Sequence, residues 1–338
     1  MRRTLLLTIA AGLLAVRAAR AETALTTFTL QHAWYPTMEY ASFYLGQGRG
    51  TFAEEGIDLK FQPWKLGVNG VEQVAEGRAD IGVDDAVNFL MAVDRGEDLV
   101  AIFAFMQETP LCLVSLRHEL GGIEDLVGKK VATVTGFEYL LTYLRQKFPK
   151  YKDKIEFVEL DDNLGALQDG KVDAAIFFET AQPPLLKLRG HPLHVLRYRD
   201  IGYDVYSHIL FVRRDFYEKN RPALARFAKA LHRSMSEKFA DPEGTVDFFV
   251  KTIPHTEYAE GPFANEAEYR RYQAASLRLL HYYMSKGVGK NFGLMNRHRW
   301  RAMIKNLKRL GVLENDIDAD AVFTNKLLRG IYVSARGD

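Results

Sequence analysis

Cysteine is almost absent from this chain: Cys112 is the one thiol in 338 residues. With no second thiol there is no internal disulfide, so the fold rests on its packed core. Cys112 itself lies in the apolar run Leu111-Cys112-Leu113-Val114, which predicts a buried structural residue rather than a reactive one. Long apolar runs are missing too. The longest, over 5–16, is too short for a bilayer that needs about 20 residues. Catalytic signatures are missing as well: no GxSxG elbow, no HExxH and no Walker glycine loop ending in Lys-Ser or Lys-Thr. Gly46-Gln47-Gly48-Arg49-Gly50 follows a helical run and reads as a helix stop, not a phosphate cradle. The nine histidines are scattered, and His191 and His194 flank Pro192 in a loop-like setting. Neither metal nor cofactor is expected.

Charge of one sign is also lacking. Lys and Arg number 45 against 43 Asp and Glu, a net +2. Arg2, Arg3, Arg17 and Arg20 all fall in the first 21 residues, which leaves 41 against 43 in the remainder, net −2. Nothing here calls for nucleic acid as a partner. Arg2-Arg3, the apolar 5–16 run and Ala19-Arg20-Ala21 stand in the order of a secretory signal, expected over 1–21. Export by the general or the twin-arginine route stays open, and the mature chain is expected in the periplasm.

What is present is a globular composition, 47% hydrophobic and 26% charged, in which strand-like and helix-like patterns alternate. Strands are expected over 27–31, 57–62, 80–83, 99–105, 111–115, 130–133, 155–159, 174–178, 194–196 and 207–212. Helices fill most gaps, which argues for mostly parallel sheets with covering helices. Beyond Asp215 the pattern is almost wholly helical, over 221–239, 242–252, 265–285 and 297–310. Two similar α/β blocks followed by a helical return predict a two-lobed α/β protein with a cleft between the lobes. Lobe 1 is expected over 22–108 and 213–338, lobe 2 over 109–212.

Three groups at strand ends are candidates for the cleft, because open α/β sheets bind ligands there. Trp34 and Tyr35 precede Pro36, with Tyr40 one turn on; they are either core aromatics or flat faces for a planar ligand. Asp84 and Asp85 end a strand, and one of them is the cap of the next helix. The other is left to meet a ligand with N–H donors, with Asn88 a turn further on and Asn69 also a candidate. Thr135, Gly136 and Phe137 stand at a strand-to-helix junction, where backbone N–H groups are free. Glu179 follows the apolar run Ala174-Ala175-Ile176-Phe177-Phe178, where a carboxylate needs a partner: a neighbouring cation, a helix start or a ligand amino group.

These segments resemble those of the periplasmic solute-binding proteins of the sulfonate, nitrate and thiamine-precursor type. The likeness is carried by Trp34-Tyr35-Pro36, Gly50-Thr51-Phe52-Ala53-Glu54-Glu55-Gly56-Ile57-Asp58-Leu59, Gly77-Arg78-Ala79-Asp80-Ile81-Gly82, Leu126-Val127-Gly128-Lys129-Lys130-Val131 and Gly170-Lys171-Val172-Asp173-Ala174. It implies the type II periplasmic-binding-protein fold and a monomer that serves a membrane permease of an ABC importer. Within that family the chain is most similar to binders of a thiamine pyrimidine precursor, through the aromatic-Pro loop, Glu179 and Tyr206-Ser207-His208. That likeness implies that Trp34, Tyr35 and Tyr40 stack on an aminopyrimidine and that Glu179 takes its amino hydrogen bonds. Tyr206 is carried as a site residue on the same ground. The alternatives are an aliphatic sulfonate, nitrate or a riboflavin-like ligand, a sensor module, or an enzyme like the thiamine-pyrimidine synthases. Those synthases carry a cysteine-rich motif and consume a histidine of their own chain, and Cys112 alone does not match that motif.

Overall fold

The computed structural model describes residues 25–62, 64–65, 68–135, 137–256 and 263–332. The expected signal over 1–21 and the site candidate Gly136 lie outside the described residues. Ten strands form two five-stranded sheets. The first holds β1 (Thr26–Gln31), β2 (Ile57–Gln62), β3 (Ile81–Asp85), β4 (Leu99–Ala104) and β10 (His208–Arg213), in the order β2-β1-β3-β10-β4. The second holds β5 (Leu111–Ser115), β6 (Lys130–Val134), β7 (Glu156–Leu160), β8 (Ala174–Phe178) and β9 (His194–Arg197), in the order β7-β6-β8-β5-β9.

Each sheet is parallel through its first three strands and then takes one antiparallel strand, β10 in the first and β5 in the second. That inserted strand is in both cases the first one made after the chain crosses from the other sheet. The crossings run over 105–110 and 198–207. Two lobes joined by two chain crossings make the two-lobed α/β architecture, with the cleft where the parallel strands end.

Both lobes position their strands with the same local device. In the first, Gly77 turns the chain at φ +76°, and the Asp80 carboxylate accepts the Thr29 amide of β1 at 2.8 Å. In the second, Gly170 turns at φ +72°, and the Asp173 carboxylate accepts the Lys130 amide of β6 at 2.8 Å. A left-handed turn favours glycine, and an aspartate three residues on ties the new strand to its neighbour. This gives a physical reason for the GRAD and GKVD segments.

The helices that return after β10 cover both lobes. The Arg214–Ala240 helix packs on the Ala41–Gly48 helix beside the first sheet. It begins earlier than its sequence pattern predicts. Pro222 marks a natural helix start, but a preceding turn is joined to it across a kink at Asn220. The Glu266–Ser285 helix touches both the Met38–Tyr40 turn of the first lobe and the Gln182–Leu188 helix of the second. The Arg297–Arg309 helix buries Trp300, which packs against Phe89, Tyr206 and Phe323. Among the described residues no helix is long and apolar enough to cross a membrane. Cys112 is buried in the second sheet.

Candidate functional site

A cavity between the two sheets holds about 740 Å³ of empty space, open solvent at its mouth included. That is the size range of small-ligand sites, about 300–1,000 Å³. Three walls build it. The first lobe contributes the loop and turn after β1, with Ala33, Trp34, Thr37, Met38 and Glu39, and His208 at the start of β10. The second lobe contributes apolar residues of β5, β6 and β8, among them Val134, Ile176 and Phe178, with Phe137, Asn163 and Gln182 at its helix starts. The third wall is one stripe of the Glu266–Ser285 helix, Tyr272, Ser276 and Leu280, spaced one turn apart as a helix face requires.

Among the described lining residues there is no lysine or arginine. The acid–base pair in the wall is Glu39 with His208, whose Nδ1 is hydrogen-bonded to the Glu39 carboxylate. Both side chains are buried. Burial disfavours the imidazolium, but the carboxylates of Glu39, Asp84 and Asp85 outweigh it, and the His208 pKa is raised above its ordinary value. His32 behaves oppositely: burial first and His208 second push it down to about 3, so it is neutral.

A second buried charge supports the same turn. Lys238 of the Arg214–Ala240 helix is wholly buried and donates to the Met38 and Glu39 carbonyls at 2.9 Å each. Burial lowers its pKa to about 7, against the opposing pull of Glu39.

The residues expected at the cleft fall into distinct places. Trp34 and Phe137 both line the cavity, one from each lobe, with ring centroids 5.7 Å apart and nearly edge-to-face at 79°. Tyr35 is half-buried outside the lining and packs on Trp64 at 4.6 Å. Tyr40 lies behind the wall, fully buried and stacked on His32 at 4.3 Å. Asn69 caps the Gly70–Ala75 helix, its side chain accepting from the Val71 and Glu72 amides.

Asp85 is the cap of the Ala86–Asp94 helix, accepting from the Val87 amide at 2.8 Å and from the Tyr203 hydroxyl at 3.2 Å. Asp84 accepts the Asp85 amide at 2.7 Å and is buried behind the lining. Burial raises both aspartates, Asp85 to about 7. Thr135 donates to Asp161 at 2.7 Å, outside the lining. Glu179 is held by two Arg197 contacts, at 2.6 and 2.8 Å, and by the Tyr283 hydroxyl. Its neighbours Phe178 and Thr180 line the cavity. Tyr206 is buried in the return crossing, where its hydroxyl accepts the Asn296 amide at 2.7 Å and its ring lies under Arg299 at 4.3 Å.

Sequence reasoning missed Glu39, His208 and Ser276. The available signal was weak: a glutamate inside an aromatic stretch and a histidine heading the apolar run Ile209-Leu210-Phe211-Val212. Their pairing spans 169 positions.

Residues 37–245 match the family model described as NMT1/THI5 like. The chain is 25% identical over 319 residues to 4-amino-5-hydroxymethyl-2-methylpyrimidine phosphate synthase THI12 of Saccharomyces cerevisiae, covering 89% of this chain and 87% of that protein. It is 23% identical over 310 residues to the formylaminopyrimidine-binding protein of Halalkalibacterium halodurans, covering 89% and 91%. Its fold is that of the alkanesulfonate-binding protein SsuA of Xanthomonas axonopodis pv. citri, with a TM-score of 0.64 at 16% identity over 90% of this chain and 100% of that one. At that identity the likeness is one of fold.

Proposed function

The chain belongs to the NMT1/THI5-like family, and on that premise we propose that it is a periplasmic solute-binding protein that captures a small, uncharged, planar nitrogen heterocycle between its lobes. An aminopyrimidine of the kind named for the Halalkalibacterium halodurans relative is the leading candidate. One observation carries the reading: the lining combines Trp34, Phe137 and apolar side chains with a Glu39–His208 pair that neutralises itself, and holds no lysine or arginine among the described residues. A sulfonate or nitrate would bring a full negative charge into this wall, and a buried charge without an opposite partner is costly. A flat neutral ring instead gains from Trp34 and Phe137. The bound form is handed to an ABC permease in the membrane, with the protein acting as a monomer.

The test is thermal unfolding against aminopyrimidines, thiamine, riboflavin, an alkanesulfonate and nitrate. A ligand at 100 times its dissociation constant adds about 2.7 kcal/mol of stability. An aminopyrimidine is expected to raise the melting point; a panel in which only sulfonate or nitrate does so overturns the reading.

The synthase name of the yeast relative favours a second reading, an enzyme that forms the pyrimidine. It requires product, and a changed intact mass after incubation with iron, oxygen and pyridoxal phosphate. An unchanged mass with no pyrimidine formed excludes it.

A further inference from the structure

Two buried polar groups on the cleft wall have hydrogen-bonding capacity that the described protein does not use. The first is Nε2 of His208. A carboxylate only accepts hydrogen bonds, so Nδ1 must carry a proton to bond Glu39. The ring lies between Tyr40, with centroids 6.2 Å apart, and Phe178, at 5.3 Å, and is 4% exposed, so it cannot swing out to water. No described residue bonds Nε2. The carboxylates of Glu39, Asp84 and Asp85 favour the protonated ring, in which Nε2 is a donor.

The second is the Ser276 hydroxyl. Buried helical serines usually turn the hydroxyl back to the carbonyl four residues earlier. Buried Ser234 does so to Ala230 at 3.0 Å, and half-buried Ser236 and Ser285 do so to His232 at 2.9 Å and His281 at 2.6 Å; buried Ser42, away from the cavity lining, does not. Ser276 does not: it is 2% exposed, its oxygen has no partner, and it lines the cavity between Tyr272 and Leu280. A buried hydroxyl left unbonded is a cost that a ligand can remove.

We propose that His208 and Ser276 form a two-point clamp that reads the polar edge of the ligand, His208 donating from Nε2 to an uncharged ring nitrogen and Ser276 bonding an exocyclic amino or hydroxyl group. This rests on the reading of the cleft as a site for a neutral heterocycle and deepens it. The clamp adds what flat aromatic walls lack, because stacking accepts any ring of the right size. A donor paired with the Glu39 carboxylate selects a ring acceptor, and a site built to meet a polar group rejects an analogue that lacks it. It also gives the Glu266–Ser285 helix a role in recognition, since Ser276 reaches the ligand from outside both sheets.

Isothermal titration with 4-amino-5-hydroxymethyl-2-methylpyrimidine, and with the benzene analogue that keeps all three substituents but lacks the ring nitrogens, tests the clamp. The wild type is expected to bind the pyrimidine at least 100-fold more tightly than the analogue. Ser276→Ala removes one oxygen from a cavity-facing side chain and is expected to weaken pyrimidine binding about tenfold. The double variant Glu39→Gln/His208→Phe leaves no unpaired buried carboxylate and is expected to bind both compounds with similar affinity. A purely structural role for His208 would leave their ratio unchanged. Wild-type affinity in Ser276→Ala, or a wild-type ratio in the double variant, overturns the clamp alone. A wild type that binds no aminopyrimidine overturns the reading of the cleft, and the clamp with it.

Discussion

Lys238 donates from Nζ to the main-chain carbonyl of Glu39 at 2.9 Å, so a cation buried in the Arg214–Ala240 helix holds the turn that carries the carboxylate of the cleft. The same ammonium holds the Met38 carbonyl. Lys238→Met leaves both carbonyls without that donor; the Met38 carbonyl keeps the Ala41 amide, so the expected cost is about 1–3 kcal/mol in all. Urea denaturation is expected to show that loss; an unchanged midpoint means the turn stands without the lysine.

The same lysine gives a pH signature. Its folded pKa is lowered to about 7 from 10.5, chiefly by burial. Between those values the unfolded chain holds the extra proton, so this group makes stability rise with pH across the window. Melting curves from pH 7 to pH 9 are expected to lose that rise in Lys238→Met. If wild type and variant change in parallel, the lysine is not titrating there.

Asp85 has the opposite sign. Burial lifts it to about 7 from 3.8, ahead of the opposing Val87 hydrogen bond. The folded state then holds the extra proton, and the stability this contributes is full below pH 3.8 and lost as pH rises through about 7. Asparagine caps a helix as well as aspartate does. Asp85→Asn is therefore expected to match the wild type near pH 4 and to exceed it at pH 8, by a few kcal/mol at most. A variant less stable than wild type at pH 8 contradicts the assignment.

Truncating Glu39 tests the buried pair itself. Glu39→Ala strands the His208 imidazole without its partner, and breaking a buried pair from one side costs about 3–5 kcal/mol. A loss below about 1 kcal/mol, measured by chemical denaturation, would show that the two side chains carry no charge in the folded protein.

Tryptophan fluorescence reports the cleft. Of the three tryptophans, Trp34 lines the cavity, Trp64 lies 4.6 Å from it, and Trp300 is buried against Phe323. An aminopyrimidine is expected to change the emission of the wild type, and Trp34→Phe to remove most of that change. Trp34→Ala is expected to weaken binding about three- to tenfold, the worth of one well-placed ring. An undiminished response in Trp34→Phe places the ligand elsewhere.

Much of the scaffold was legible locally. All ten strands lie within about two residues of their expected places, because apolar runs bounded by glycine and aspartate are a short-range signal. The sheets are mostly parallel, as expected, with β5 and β10 the antiparallel strands. Strand direction depends on where the chain crosses between lobes, which no local pattern encodes. The aromatic candidates divide for a related reason. Trp34 and Tyr40 are six positions apart in one aromatic stretch, yet the loop leaves Trp34 at the cavity while the Met38–Tyr40 turn carries Tyr40 inward onto His32.

The sequence by itself determined the element order, the two-block plan and the positive-φ glycines that turn each lobe, since these follow from side chains acting on their own backbone. It also determined that an aspartate would cap the Ala86–Asp94 helix, though not that Asp85 rather than Asp84 would do so. Only the tertiary structure decided the chemistry of the cleft. Glu39, His208, Lys238 and Ser276 come from four segments, and their pairing and their protonation arise from a burial that exists only once both sheets and the returning helices have packed.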